Sequence, residues 1–530
     1  MKTRMNAWPA LWAWALALSF PPGASAQKNA KIDDDILRAV KQATGYMVNT
    51  VSYNGAFVWE YLPDFSRQWG EMEAYRTMGW TQGQGTPAMG EFFLDLYHAT
   101  GDEFYYAAAE KAAMALIWGQ LPCGGWNYIF DFAGEASLKR WYGTIGKNGW
   151  RLEEFQHYYG NATYDDGASI TPARFLLRMY VEKYDSKFRP AIDRAINFVL
   201  ESQYPIGGWP QRYPLMYEYS KQGRDDYSSY ITFNDQVHDN CVNFLILCYQ
   251  MLGERRLLDP IRRAMNCTLV LQQGPDQPGW GDQYTLDYKP AGARSYEPLS
   301  IHPRTTDWCC NSLMDYYELT GETKYLARIP EAIAWLELVA APMDTVRALG
   351  FTRFSGTQVS APRYIEVGTN KPLASVRTGS NAISGRYTTK QMYSSDMIRI
   401  DIERIKRRYQ HLTSTPVEEV TRLSPLRNEG GQAYQMPEYL QMRPGRTDEK
   451  EVRELLASLT PEGYWLVPIG MTSNPYIGDG PLEPTPGNFR GQVGDKYDTS
   501  PFTPKDPIQG ITTASYMTNV GKLIGFLNNR

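Results

Sequence analysis

Three observations predict an all-α fold, an α/α toroid or partial barrel of helical hairpins with a loop-rich C-terminal extension. A Gly-Trp turn followed by a Tyr recurs: Trp126 with Tyr128, Trp209 with Tyr213, Trp280 with Tyr284, the tryptophans lying 83 and 71 residues apart. A short polar turn interleaves with it at Gly101-Asp102, Tyr184-Asp185, Gly253-Glu254 and Gly321-Glu322, spaced by 83, 69 and 68 residues. The flanking segments carry apolar residues at helical spacing, as in Phe92, Phe93, Leu96 before the first turn and Ala109, Ala112, Ala113, Leu116 after it. Helix, tight turn, helix and long Gly-Trp loop is thus the repeating unit. One hairpin cannot cover its own apolar face, whereas several around an axis can.

The elements follow in order. Residues 1–26 read as a secretory signal peptide: Lys2 and Arg4, an apolar run from Trp8 to Phe20, then Ala24-Ser25-Ala26 as the cleavage site. The run is shorter than the ~20 residues a spanning helix needs, so no membrane span is expected. Residues 27–150 supply the N-terminal hairpins and 151–415 the part of the toroid that carries the candidate site. From about residue 346 Pro and Gly become frequent, although a charged helix is expected over Met397 to His411. Residues 416–530 form the extension, rich in Pro481, Pro484, Pro486, Pro501 and Pro504, and its last segment, Ile511 to Leu527, is expected to dock as a helix.

Bulk properties narrow the function. The net charge is -4 and no basic stripe stands out, which argues against nucleic acid. Six cysteines without CxxC spacing make neither a disulfide scaffold nor a zinc site, and Cys241 and Cys248 read as buried apolar residues. Aromatic residues make up 13% of the chain, with 37 Tyr and 15 Trp, as in sugar-binding clefts and in large cores alike.

Four segments carry chemistry. Thr163-Tyr164-Asp165-Asp166-Gly167 opens a helix that continues through Arg174; adjacent carboxylates suit a hard cation, and N-capping accounts for only one of them. Gly207-Gly208-Trp209-Pro210 leads to Phe233-Asn234-Asp235, where Asp235 shares a cation with the first pair if successive hairpins lie side by side. Lys289 to Pro298 includes Arg294 and Glu297, and Arg363 to Arg377 includes Glu366, Asn370 and Lys371. Loop arginines suit carboxylate recognition, and equally surface ion pairs. The five histidines are scattered, and His238 reads as structural rather than as part of the site.

Together these segments resemble polysaccharide lyase family 10, the pectate lyases built on an α/α toroid. The match runs through TYDDGAS (163–169), GGWPQRYP (207–214), ITFND (231–235), KPAGARSYEPLSI (289–301) and RYIEVGTNKPLASVR (363–377). The resemblance implies Ca2+-assisted β-elimination on polygalacturonate. It implies Arg294 as the Brønsted base and Asp165 as an acidic residue needed for metal and substrate. Asp165, Asp166 and Asp235 are the expected metal ligands. Arg377 is expected to bind a substrate carboxylate, with Trp209, Asn234, Glu297, Asn370 and Arg174 as further substrate contacts. An Arg base is chemically awkward, so Arg294 as an electrostatic clamp stays open. Asp166, Arg212 and the charged insert Lys221 to Asp226 depart from the family pattern. A secreted or periplasmic monomer acting on pectin-derived chains is the expectation. The alternatives are a toroid hydrolase or lyase on another uronate, and a non-catalytic pectin-binding protein.

Overall fold

The structure is a computed structural model that describes residues 24–146, 153–155, 157–216, 226–294, 296–350, 357–377, 387–427, 447–469, 472–473, 491–492 and 508–528. The expected signal peptide up to residue 23, insert residues 221–225 and Pro481, Pro484, Pro486, Pro501 and Pro504 lie outside the described residues.

Hairpins follow one another as the repeat predicts. Helix α1 (Ala24–Tyr46) leads to the pair α2 (Thr86–Thr100) and α3 (Glu103–Gly119). A short helix α4 (Glu135–Thr144) precedes the pairs α5 (Ile170–Lys183) with α6 (Arg189–Ser202), α7 (Val237–Leu252) with α8 (Leu258–Val270), and α9 (Pro303–Thr320) with α10 (Ile329–Val339). Then come α11 (Met343–Ala348), α12 (Ile402–Ser414), α13 (Val417–Val420), α14 (Glu449–Ser458) and α15 (Thr513–Asn528). The first helix of a hairpin packs on the first helix of the next, giving the inner row α15, α2, α5, α7. Asp239 of α7 accepts from Ser312 and Tyr316 of α9, which extends that row. The second helices lie outside, with α3, α6 and α8 each packing on the inner helix that follows. The polar turns end α2, α5, α7 and α9 in the left-handed region, at Gly101, Tyr184, Gly253 and Gly321, each donating its N–H to the carbonyl four residues back.

The Gly-Trp turns are a packing device. Trp126, Trp209 and Trp280 are wholly buried. Their indole N–H groups donate to Leu116 O, Val199 O and Thr268 O, carbonyls near the end of the preceding outer helix, each at 2.8 Å. These carbonyls lie in the last turn, where backbone donors run out, so each Trp helps to close a helix end while filling the core. Gly124 and Gly207 sit at φ 96° and 110°, where a Cβ would lie 2.2 Å from Arg194 O and Arg263 O of the next outer helix. The tail repeats the device: Trp465 donates to Leu455 O of α14, after Gly463 at φ 104°. Helix α14 thus stands as an outer helix and α15 as the inner helix that follows its Gly-Trp turn, with α15 between α1 and α2.

Two expectations change in the second half. Met397–Ile400 is a strand paired with Val359–Pro362, not the start of a helix. Ile398 and Ile400 alternate into the core at period two; Asp401 then caps Arg404 N and the helical period begins at Ile402 and Ile405. The C-terminal helix starts at Thr513, because Gln509–Thr512 pairs with Glu60–Tyr61 and Val467–Pro468. All six cysteines are free thiols, and five of them, including Cys241 and Cys248, are buried.

Candidate active site

Short ladders join successive loops at one rim. Ala162–Thr163 pairs with Arg212–Tyr213, and Ile231–Thr232 pairs with Gln283–Tyr284, which pairs in turn with Pro290–Ala291. Each of the first two ladders ends in a tight turn that opens an inner helix. The turn before α5 places Asp166 at φ 49°, and the turn before α7 places Asp235 at φ 50°. Asp165 and Asn234 therefore occupy one position in the two turns, and Asp166 and Asp235 the next. The ladders hold the turns side by side.

Arg294 lies between them. Its guanidinium is 2.9 Å from Glu297, 3.2 Å from Asp235, and 3.5 Å from both Asp165 and Glu154. Asp165 is fully buried, accepting from Tyr128 Oη at 2.5 Å and Gln211 Nε2 at 3.2 Å. Asn234 donates to Glu297 at 3.2 Å, and Asp166 accepts from Gln82 at 2.8 Å. A groove of about 500 Å3 opens beside Glu297, walled by Tyr230, Ala293, Leu299, Val367 and Leu373. The structure thus gathers Arg294, Asp165, Asp166, Asp235, Asn234 and Glu297.

Three expected substrate contacts are elsewhere. Trp209 is core, its indole spent on Val199. Asn370 fastens a turn at φ 58°, accepting from Gln277 and Trp335 and donating to Asp276 O. Arg174 stands 3.6 Å from Glu91, in the α2–α5 packing network that also holds Arg178 and Asp95. Sequence alone misjudges them because Trp, Asn and Arg serve packing and recognition equally well. The Arg377 backbone ends the strand Pro372–Arg377, and its side chain lies outside the described residues. Sequence reasoning missed Glu154, Gln211 and Gln82 as site residues. Tyr128, the fourth, was visible as the Tyr of the first Gly-Trp motif.

Electrostatics separates the carboxylates. Burial pushes Asp165 up, but Arg294 and the bonds from Asp235, Tyr128 and Arg212's field outweigh it, and its pKa is lowered. Burial and the Asp165 charge drive Asp235 well above the ordinary range. Asp166 opens to solvent at the cleft, yet desolvation and Asp165 raise it to about 7. For Arg294, burial pulls the pKa down, while Glu297, Tyr296, Asp165 and Glu154 more than offset it, so the guanidinium is held charged. The donor set is all oxygen and Arg294 relieves its mutual repulsion only in part, which fits a hard divalent cation. Among the described residues no three His, Cys, Asp or Glu side chains already stand as a ligand set, so binding one ion requires these carboxylates to turn toward each other.

A helical toroid with an Arg-centred acidic cleft at its loop rim is the architecture of a carbohydrate-active enzyme. The pectic acid lyase family model matches residues 139–411, just over half of the chain. The chain belongs to that family and is a polysaccharide lyase. Among solved structures it is similar to a family 10 polysaccharide lyase from Cellvibrio cellulosa, at 18% identity and a TM-score of 0.38, over 62% of this chain and 89% of that one. A mutant of that lyase in complex with trigalacturonic acid matches at 18% identity and 0.38, over 63% and 92%. An α-1,6-mannanase from Salegentibacter sp. HEL1_6 matches at 11% and 0.35, over 94% and 99%. Likenesses this distant carry no functional argument. No curated protein matches.

Proposed function

We propose that the protein cleaves (1→4)-α-D-galacturonan by Ca2+-assisted β-elimination, releasing 4,5-unsaturated oligogalacturonates. The observation that carries this reading is the buried Arg294 shared between the Asp165 and Asp235 turns. Elimination removes a weakly acidic proton from C5, next to the uronate carboxylate, while the C4–oxygen bond breaks. Negative charge builds on the carboxylate oxygens, and fixed cationic donors lower that barrier. Asp165, Asp166 and Asp235 would hold the calcium ion, which supplies charge neutralisation at the uronate carboxylate.

Arg294 acts first as a clamp on that carboxylate, with Glu297 fixing its Nε edge. The base role implied by the resemblance needs a neutral fraction of the guanidinium. Burial favours that fraction, and the charges of Glu297, Asp165 and Glu154 oppose it. A base role for Arg294 therefore requires the field of those carboxylates to be offset, as a cation bound between them would do; with Arg294 as a clamp alone, solvent hydroxide takes the C5 proton. Asp165 stays ionised, held by Tyr128 and Gln211, and orients the guanidinium. The protein works outside the cytoplasm after cleavage near Ala26, consistent with a polymeric substrate. Among the described residues no helix is long and apolar enough to cross a membrane.

The test is ultraviolet absorbance of the mature protein with polygalacturonate, with calcium and then with a chelator. A rise that calcium supports and the chelator stops is expected. Reducing ends without that rise would mean hydrolysis and overturn the proposal. Calorimetric titration of the metal-free protein with calcium gives a readout independent of turnover.

A further inference from the structure

An exposed aromatic surface lies at the outer end of a strand whose inner end reaches the active site. Tyr128, bonded to Asp165, continues into the strand Ile129–Asp131 and then Phe132. Four residues of extended chain span at most about 14 Å, which places Phe132 within that distance of Tyr128's backbone. Trp118, at the end of α3, stacks on Phe132 with centroids 4.3 Å apart and planes 28° apart. It remains 51% exposed, and Met114, one turn earlier, is 45% exposed. Tyr53 completes the surface, 5.8 Å from Phe132.

A cation borders this surface. The Arg76 guanidinium sits 5.7 Å from the Tyr53 ring centroid and donates only to Thr50 O and Ser52 O, with no carboxylate paired to it among the described residues. Thr77 O accepts from Phe132 N, which ties Arg76 to the platform. Lys111 lies on the face of α3 that carries Met114 and Trp118, exposed and reaching Asn49 at 3.4 Å. Core aromatics would be covered, and a neutral-sugar platform would need no adjoining unpaired Arg. A flat aromatic face supports a pyranose ring, and an unpaired guanidinium beside it matches a carboxylate.

We infer that Trp118, Phe132 and Tyr53 with Arg76 form a distal binding site for uronic acid residues of the same polysaccharide chain that enters the Arg294 cleft. The inference rests on the proposed uronate substrate. The site lies outside residues 139–411 that define the family match, so it is a feature of this chain's N-terminal hairpins. It grips long chains several residues from the cleavage point and leaves the chemistry untouched.

The test compares long polygalacturonate with trigalacturonate on wild type, Trp118→Ala and Arg76→Gln. Each variant should raise KM on the polymer by about five-fold, the loss of one stacking or charge-assisted contact, with kcat and trimer kinetics unchanged. An unchanged polymer KM, or equal losses on polymer and trimer, overturns the inference. Should the wild type turn over neither substrate, the proposed function fails, and gel retardation by immobilised polygalacturonate then decides this site. Retardation of wild type lost in both variants upholds it, and equal mobility of all three removes it. If Trp118→Ala does not fold, Arg76→Gln alone carries the decision.

Discussion

The turn before α5 and the turn before α7 have the same backbone and different side chains. Asp166 (φ 49°, ψ 24°) and Asp235 (φ 50°, ψ 27°) superimpose in conformation, yet one turn reads Asp165-Asp166-Gly167 and the other Asn234-Asp235-Gln236. The first places a fully buried carboxylate against Tyr128, Gln211 and Arg294. The second places a neutral amide there, bonded to Glu297. The repeat thus builds two equivalent ledges, and the one extra carboxylate on the first decides their roles. The first anchors the guanidinium from below; the second offers Asp235 at the cleft, 32% exposed.

The largest expected effect comes from removing what joins the two ledges. Arg294→Ala should lower kcat by about 10²–10³-fold, as for loss of one preorganised donor. Arg294→Lys keeps the charge but loses the planar fork, and should recover little. Full activity in Arg294→Lys would show that a point charge suffices, and the fork geometry would lose its role.

Exchanging the ledges' first residues comes next. Asp165→Asn should cost at least about ten-fold in kcat/KM, because Arg294 loses one of its buried counter-charges and the one that orients it from the first turn. Asn234→Asp adds a carboxylate beside Glu297, already pushed up by burial, and should cost less. Comparable losses in the two variants would mean that the ledges are interchangeable.

The third expectation concerns pH in the metal-free protein. Asp166 has its folded pKa raised to about 7, above the ordinary aspartate value of about 4. Its contribution to stability is therefore fully present below pH ~4 and lost as pH rises through 7. The melting temperature of wild type should fall more between pH 5 and 8 than that of Asp166→Asn. Parallel curves would show that burial and the Asp165 charge do not raise Asp166 in the folded protein.

How much of this was legible beforehand depended on what the residues have to satisfy. The hairpin periodicity and the four polar turns were readable, three of the turns because a left-handed helix end favours glycine. The clustering of Asp165, Asp235 and Arg294 was readable from motifs at loop positions. Trp209 was misassigned because a Gly-Trp turn presents the same letters whether its indole caps a helix or faces a sugar. Only Val199 O, ten residues away in sequence, settles it. Trp118 carries no motif at all, and its exposure depends on how α3 meets the Phe132 loop. The Met397–Ile400 strand was hidden because alternating Ile residues run straight into a helix with Ile at helical spacing.

The smallest effect lies at the third position of the turns. Gly167 adopts φ 70° and Gln236 φ 58°. A left-handed residue with a Cβ is strained, by about 1 kcal/mol or more, so Gln236 bears a cost that its counterpart avoids. Gln236 is exposed at the cleft edge, and its side chain can be removed without opening a cavity. Gln236→Gly should therefore stabilise the fold by about 0.5–1 kcal/mol, part of the relief being offset by the freer unfolded chain. The reverse change, Gly167→Ala, should destabilise, since its Cβ would also meet Thr171 Oγ1 at 2.9 Å. Urea denaturation of both variants measures the pair. A loss of stability in Gln236→Gly would mean that the Gln236 side chain makes a contribution larger than its backbone strain, and the two turns would then differ in function at their third position as well as their first.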